Sequence, residues 1–246
     1  MNIQSTLTLI VITAGAVLNA QTLTWEFGHV PYPMERAEQV WEVLASGSAI
    51  DSRSGGSTVF TSENGLSGSL EGASRYFLLT MTAAQNFDPD KFTYELAKSA
   101  SGSNPWLYNS SVDRLGVSSD MGENIDLDGG FPNPNNSKST LSEAIVFEFD
   151  LSKLKMPLGY ALQIDGLQVA NSRSHLIISH FDKRRNRIKQ LTGDKTKPNR
   201  IVEGENVFQP APQIVRTGDK IALWSNGTSG NLRQLLGIRF SLVRDR

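Results

Sequence analysis

Ala144–Leu151 reads AIVFEFDL, with Ile145, Phe147 and Phe149 at alternate positions and Glu148 and Asp150 between and after them. A period of two is the pattern of a strand with one face turned to a core, whereas a helix repeats its apolar positions every three to four residues. The same signature recurs on both sides of this stretch. It is found at Thr22–Gly28 with Leu23, Trp25 and Phe27, at Arg75–Thr82, and at Lys91–Lys98 with Phe92, Tyr94 and Leu96 expected inward. Further on it returns at Ser174–Phe181, Asn186–Leu191, Asp219–Trp224 and Gln234–Val243. Clusters of Gly, Asn, Asp, Pro and Ser separate these runs and turn the chain. Short strands joined by polar turns bury their apolar faces by packing sheet on sheet, so the expected fold is all-β, a sandwich of two antiparallel sheets. One segment breaks the pattern. In Pro33–Ala45 the residues Met34, Ala37, Val40, Trp41 and Leu44 fall at helical spacing behind a proline suited to a first turn, which predicts one short helix near residues 33–45.

The chain begins with an apolar run free of charge, LTLIVITAGAVL at Leu7–Leu18, followed by Asn19, Ala20 and Gln21. That length and the small residues at its end fit the hydrophobic region and cleavage site of a secretory leader, and the run is short for a membrane span. Residues 1–20 are therefore expected to be a signal peptide and residues 21–246 a single exported β-sandwich domain, secreted or extracellular, with the periplasm as the other compartment such a leader serves. Lys plus Arg number 24 against 25 Asp plus Glu, so no bulk field draws the chain to nucleic acid. Cysteine is absent. Disulfides, thiolate metal sites, a Cys nucleophile and a lipid-bearing Cys after the leader are all excluded, and the fold has to rest on its core or on a bound ion.

Three stretches carry a resemblance: NPWLYNSSVDRLGVSSD, then ENIDLDGG with SEAIVFEFDL shortly after it, and the closing WSNGTSGNLRQLLGIRFSLV. Over roughly Arg75–Val243 the chain resembles the β-sandwich ectodomains of exported planctomycete and verrucomicrobial proteins of the PEP-CTERM-associated type. The resemblance implies a jelly-roll-like, non-catalytic extracellular domain. SLVRDR is not followed by the Pro-Glu-Pro element, apolar helix and basic cluster of the sorting tail, so release without stable membrane anchoring is the expectation.

Asp120–Gly130 reads DMGENIDLDGG, with Asn124, Asp126 and Asp128 at alternate positions before Gly129. Alternate oxygen-bearing side chains closed by a glycine turn suit calcium, a hard cation that gathers several oxygens. Asn135 stands where the bidentate Glu of an EF-hand loop would be, so Glu143 is the residue left to close such a site by folding back from the next strand. The other reading is a solvated acidic turn. Trp106, Tyr108 and Trp224 are candidate glycan-stacking rings beside polar turns, the alternative being that they anchor core or turns. The basic run Lys183, Arg184, Arg185, Arg187, Lys189, with Lys195, Lys197 and Arg200 beyond, is either a face for an acidic polymer or the solvated side of a hairpin.

For catalysis the sequence offers less. His29, His175 and His180 form no HExxH or helical metal pair, GTSG at Gly227–Gly230 is one residue short of a nucleophile elbow, and no catalytic residue is assigned. Carboxylate pairs such as Glu143 with Glu148, or Asp126 with Asp128, would be the acid and base of a glycosidase. The expectation is a secreted non-catalytic domain that binds polysaccharide or cell-surface glycan, with a structural calcium ion. A carbohydrate-active hydrolase or lyase, and a structural surface or matrix protein, are the alternatives.

Overall fold

In the computed structural model the stretch that decides the fold is the centre of the larger sheet. Residues 22–27, 37–52, 59–98, 108–109, 114–115, 117, 129–132, 140–170, 176–192, 209–225 and 234–245 are described, and the leader lies outside them. Seventeen strands and no helix occur among these residues. The first five are β1 (Leu23–Glu26), β2 (Glu38–Leu44), β3 (Ser48–Asp51), β4 (Val59–Phe60) and β5 (Leu66–Ser67). Then come β6 (Tyr76–Asp88), β7 (Thr93–Leu96), β8 (Tyr108–Asn109), β9 (Arg114–Leu115), β10 (Gly129–Pro132) and β11 (Thr140–Asp150). The last six are β12 (Tyr160–Ala170), β13 (Leu176–Phe181), β14 (Arg187–Thr192), β15 (Gln209–Ile214), β16 (Lys220–Ser225) and β17 (Gln234–Arg244).

They form two antiparallel sheets, an all-β sandwich as the alternation implies. The larger runs β14-β13-β16-β11-β6-β2-β3-β4, with β10 on β11 and β7 on β6; the smaller runs β15-β12-β17-β1-β5, with β8 and β9 beside β17. From β11 onward the chain alternates between the sheets, with only the β13–β14 hairpin staying in one, so consecutive segments interlock the two layers. The core fills the gap between them. Phe77 and Phe149 of the larger sheet meet Phe240 of the smaller at 5.4 and 6.4 Å, and Trp25 meets Trp41 edge-on at 5.4 Å. Edge-to-face contacts of this kind add to the area that the rings bury.

The described part of the segment expected to be helical, Glu38–Leu44, is strand, and residues 33–36 lie outside the described residues. Glu38–Leu44 pairs with β6 from Glu38↔Thr82 to Leu44↔Tyr76 and with β3 on its other side. Trp41, Val43 and Ala45 are buried while Val40, Glu42 and Leu44 are half-buried, a period of two that the coincident helical spacing of the larger residues masked. The long, largely buried β6 offers its edge here, and tertiary pairing outweighs a weak helical preference. The Ser- and Gly-rich stretch after it contains β3. Leu96, expected inward, is 46% exposed, although Phe92 on the same segment is buried.

The larger sheet is covered on both faces. Opposite the main core, Ala84, Ala144, Val146, Ile177, Phe181, Ala222 and Trp224 form a second buried cluster closed by Phe87, Phe92 and Tyr94. Phe92 packs on Phe181 at 4.4 Å and edge-on to Phe87 at 5.8 Å.

Candidate functional site

Strand register brings the ends that bear the candidate residues to one end of the sandwich. Tyr108 stands opposite Leu115, and Leu115 opposite Leu235 at the start of β17. Gly129 stands opposite Ser142 at the start of β11. Ala144 pairs with Trp224 at the finish of β16, and the Ser142 hydroxyl donates to the Ser225 carbonyl. Connections leave binding residues at strand ends because regular structure holds the ends and not the loops themselves.

Trp106, Asn124, Asp126 and Asp128 lie outside the described residues, as do Lys195, Lys197, Arg200, His29 and His175; Tyr108 is described in its backbone only. Trp106 is two residues before Tyr108 and Asp128 directly precedes Gly129. Because β10 folds back on β11, the acidic stretch enters the sheet one residue from the point opposite Ser142, whose chain neighbour is Glu143. Glu143 itself is fully buried and engaged. Among the described residues no group of three or more His, Asp or Glu side chains is arranged to hold a metal ion.

Trp224 does not present a flat ring. It is 6% exposed, its indole packs beside Phe87 at 6.0 Å, and its Nε1–H donates to the Ser179 hydroxyl at 3.1 Å. Its faces are taken by the second core cluster and its one polar atom is satisfied, so it is a core anchor. The glycan platform read from the sequence thereby reduces to Trp106 and Tyr108.

The carboxylate pair Glu143 and Glu148 is separated by the strand that carries it. Alternation puts Glu143 on the face of Ile145 and Glu148 on the opposite face, and five residues of strand span about 16 Å. Glycosidase carboxylates stand at most about 9.5 Å apart across one bond. Glu148 instead holds the Lys220 ammonium at 2.7 Å at the surface.

A second polar pair, absent from the sequence reading, sits at the other end. His180 Nε2 lies 3.1 Å from Asp219 Oδ2, both residues buried, and the same carboxylate oxygen accepts the Arg216 backbone N–H at 2.9 Å. Burial pushes the imidazole below its ordinary value, Asp219 pulls it up through hydrogen bond and charge, and Lys189 and Arg216 push it down again. Thirty-nine residues separate the partners in sequence, so only the pairing of β13 with β16 brings them together. Ser179, the next residue, points to the opposite cluster.

The basic run forms the β13–β14 hairpin. Its turn is closed by Asp182, whose carboxylate accepts the Arg184 and Asn186 backbone N–H groups at 2.7 and 2.9 Å and the Asn186 amide at 2.9 Å; bonds from Asn186 hold this carboxyl below its ordinary range. Arg187 is tied to the Pro89 carbonyl and Asp90, and Lys189 reaches across the sandwich edge to the Pro212 carbonyl. No protein-family model, curated protein or solved structure matches the chain.

Proposed function

We propose that the chain is an exported, non-catalytic β-sandwich domain that binds polysaccharide or cell-surface glycan at the end where β8, β10, the start of β11 and the finish of β16 meet. Trp106 and Tyr108 supply the stacking rings, and calcium orders Asn124, Asp126 and Asp128 against Glu143. One observation carries the reading: the register Gly129↔Ser142 sets the acidic stretch beside the strand that bears Glu143, while β8 and β9 hold the segment with Tyr108 against β17 at the same end. Gly129 and the Tyr108 backbone, the described chain neighbours of these carboxylates and rings, lie at strand ends on one side of the sandwich, which supports a sugar site with a structural ion.

The test is binding of the secreted protein to a glycan array with calcium and after chelation. Binding without release of reducing or unsaturated ends, lost in Trp106→Ala/Tyr108→Ala and weakened by chelator and by Asp126→Ala/Asp128→Ala, is expected. Sugar cleavage, or array binding indifferent to all these changes, overturns the reading.

A further inference from the structure

The opposite end of the sandwich carries a feature that the glycan reading leaves unused. In the turn between β11 and β12, Leu154 and Met156 face the core, but Leu158 is 102% exposed. The turn that holds it is well tied down. The Leu154 N–H bonds the Leu151 carbonyl at 3.0 Å and the Tyr160 N–H bonds the Pro157 carbonyl at 3.1 Å; Lys155 and Ser74 exchange backbone bonds at 3.0 and 2.9 Å; and the Asp245 N–H donates to the Gly159 carbonyl at 2.9 Å. Leu158 is thus an apolar tip fixed on a rigid support, without contact to the core it would otherwise join.

Cations surround this tip. Lys153 and Lys155 lie on the same turn, Arg75 follows Ser74, and Arg244 precedes Asp245; all four are exposed, and none forms an ion pair among the described residues. The acids at this end are in part paired or buried: Asp245 holds Arg216 at 3.1 Å and Asp219 is buried against His180, while Glu71, Asp150, which accepts the Ser152 N–H, and Asp182 at the hairpin tip remain as surface carboxylates. Next along the row, the hairpin tip Lys183–Arg185 adds three exposed cations, and Lys183 packs so close to Gly218 that a Cβ there would lie 2.9 Å from its own. A chain with a net charge of only −1 therefore concentrates positive charge at the end that also exposes a leucine.

We propose that this end docks reversibly onto an anionic lipid surface, with Leu158 entering the headgroup layer and the surrounding Lys and Arg side chains meeting the lipid phosphates. Charge alone suits any polyanion, but a polyanion gives a rigid, fully exposed leucine no role. A lipid interface rewards both, since an apolar side chain at the boundary and basic residues near the surface add to binding. Docked in this way, the domain would hold its candidate glycan end away from the lipid. The inference stands independently of what that glycan end binds.

The test is co-sedimentation of the processed protein with vesicles of phosphatidylcholine alone and of phosphatidylcholine with phosphatidylglycerol. Binding to the second and not the first, weakened by added salt, is expected. Leu158→Ser is fully exposed and leaves the core untouched; it is expected to reduce vesicle binding about five-fold or more while leaving retention on a sulfated polysaccharide column unchanged. Lys153→Glu/Lys155→Glu is expected to reduce both. No sedimentation with anionic vesicles, or equal vesicle binding by Leu158→Ser and the parent, overturns the proposal; the second result, with retention on the column, assigns the end to soluble polyanions instead.

Discussion

At the scale of single residues, two buried polar contacts of the larger sheet, His180 with Asp219 and Trp224 with Ser179, differ in what they ask of the solvent. His180 has an imidazole driven below its ordinary 6.5, first by burial. The unfolded chain takes up this proton near 6.5 and the folded chain only at lower pH, so the unfolded state binds more protons in the window between. Stability is therefore complete above about pH 6.5, falls as the pH drops through that window, and levels off once the folded imidazole is also protonated. Urea midpoints measured down this range are expected to decline, and His180→Gln is expected to flatten the slope; an equal slope in the variant would assign the decline to other groups. Trp224 carries no such dependence. Trp224→Phe removes the donor of the bond to Ser179 and leaves that hydroxyl buried, a loss of about 1–2 kcal/mol in denaturant unfolding, with glycan binding unaffected. Reduced glycan binding in a variant that unfolds like the parent would return Trp224 to the ligand site. The sequence showed that Trp224 ends a strand, but burial depends on Phe87 and Phe92 of a distant segment, which alternation in β16 alone does not report.

At the scale of elements, what alternation revealed and what it hid have one cause. β1, β6, β11, β13, β16 and β17 were legible because their core residues keep one parity over most of their length. β12 was not. Its inward residues are Leu162 and Ile164, then Leu167 and Val169, and the parity changes at the irregularity between Ile164 and Gly166, where Asp165 is the extra residue. A bulge that flips the inward parity erases the period-two signal just where the strand is most central. β15 was hidden for another reason. Pro210 and Pro212 interrupt any strand pattern, yet β15 is the outermost strand of the smaller sheet, where a missing N–H is tolerated. The corner where the ends of β1 and β5 and the β2–β3 turn meet depends on close backbone approach instead. Gly68 has φ +82°, and a Cβ on it would lie 2.0 Å from the Thr22 carbonyl oxygen, with Gly47 in the same relation to the Gly68 carbonyl. Gly68→Ala meets backbone and not a side chain that can swing aside, so a loss of at least about 2 kcal/mol is expected in chemical denaturation. A change under half that size would show that the β1–β5 corner can move apart without cost.

At the scale of the whole molecule, the chain closes on itself from its two ends. β1, near the beginning, lies between β5 and β17, and β17, near the end, lies between β12 and β1 over the register Leu23↔Phe240 to Glu26↔Gly237. Phe240 from this last strand also supplies the ring against which Phe77 and Phe149 of the other sheet pack. The smaller sheet thus has no continuous ladder, and the larger sheet has a core face without its cover, until residues 234–244 are in place. Non-local pairing of this kind has to meet the entropy of closing a long loop before its contacts return anything, so folding is expected to be slow and strongly cooperative. A chain ending at Leu232 or before Gln234 retains every strand of the larger sheet but exposes Phe77, Leu79, Ile145, Phe147 and Phe149 at once. Such a chain is expected to show no cooperative thermal transition and to bind a hydrophobic dye, whereas Asp245→Ala, which removes only the exposed pair with Arg216, is expected to change stability by less than about 1 kcal/mol. A cooperative transition in the truncated chain would mean that the larger sheet, with its second aromatic cluster, is stable without the smaller one, and the fold would then be two layers that each stand alone and not one interlocked sandwich.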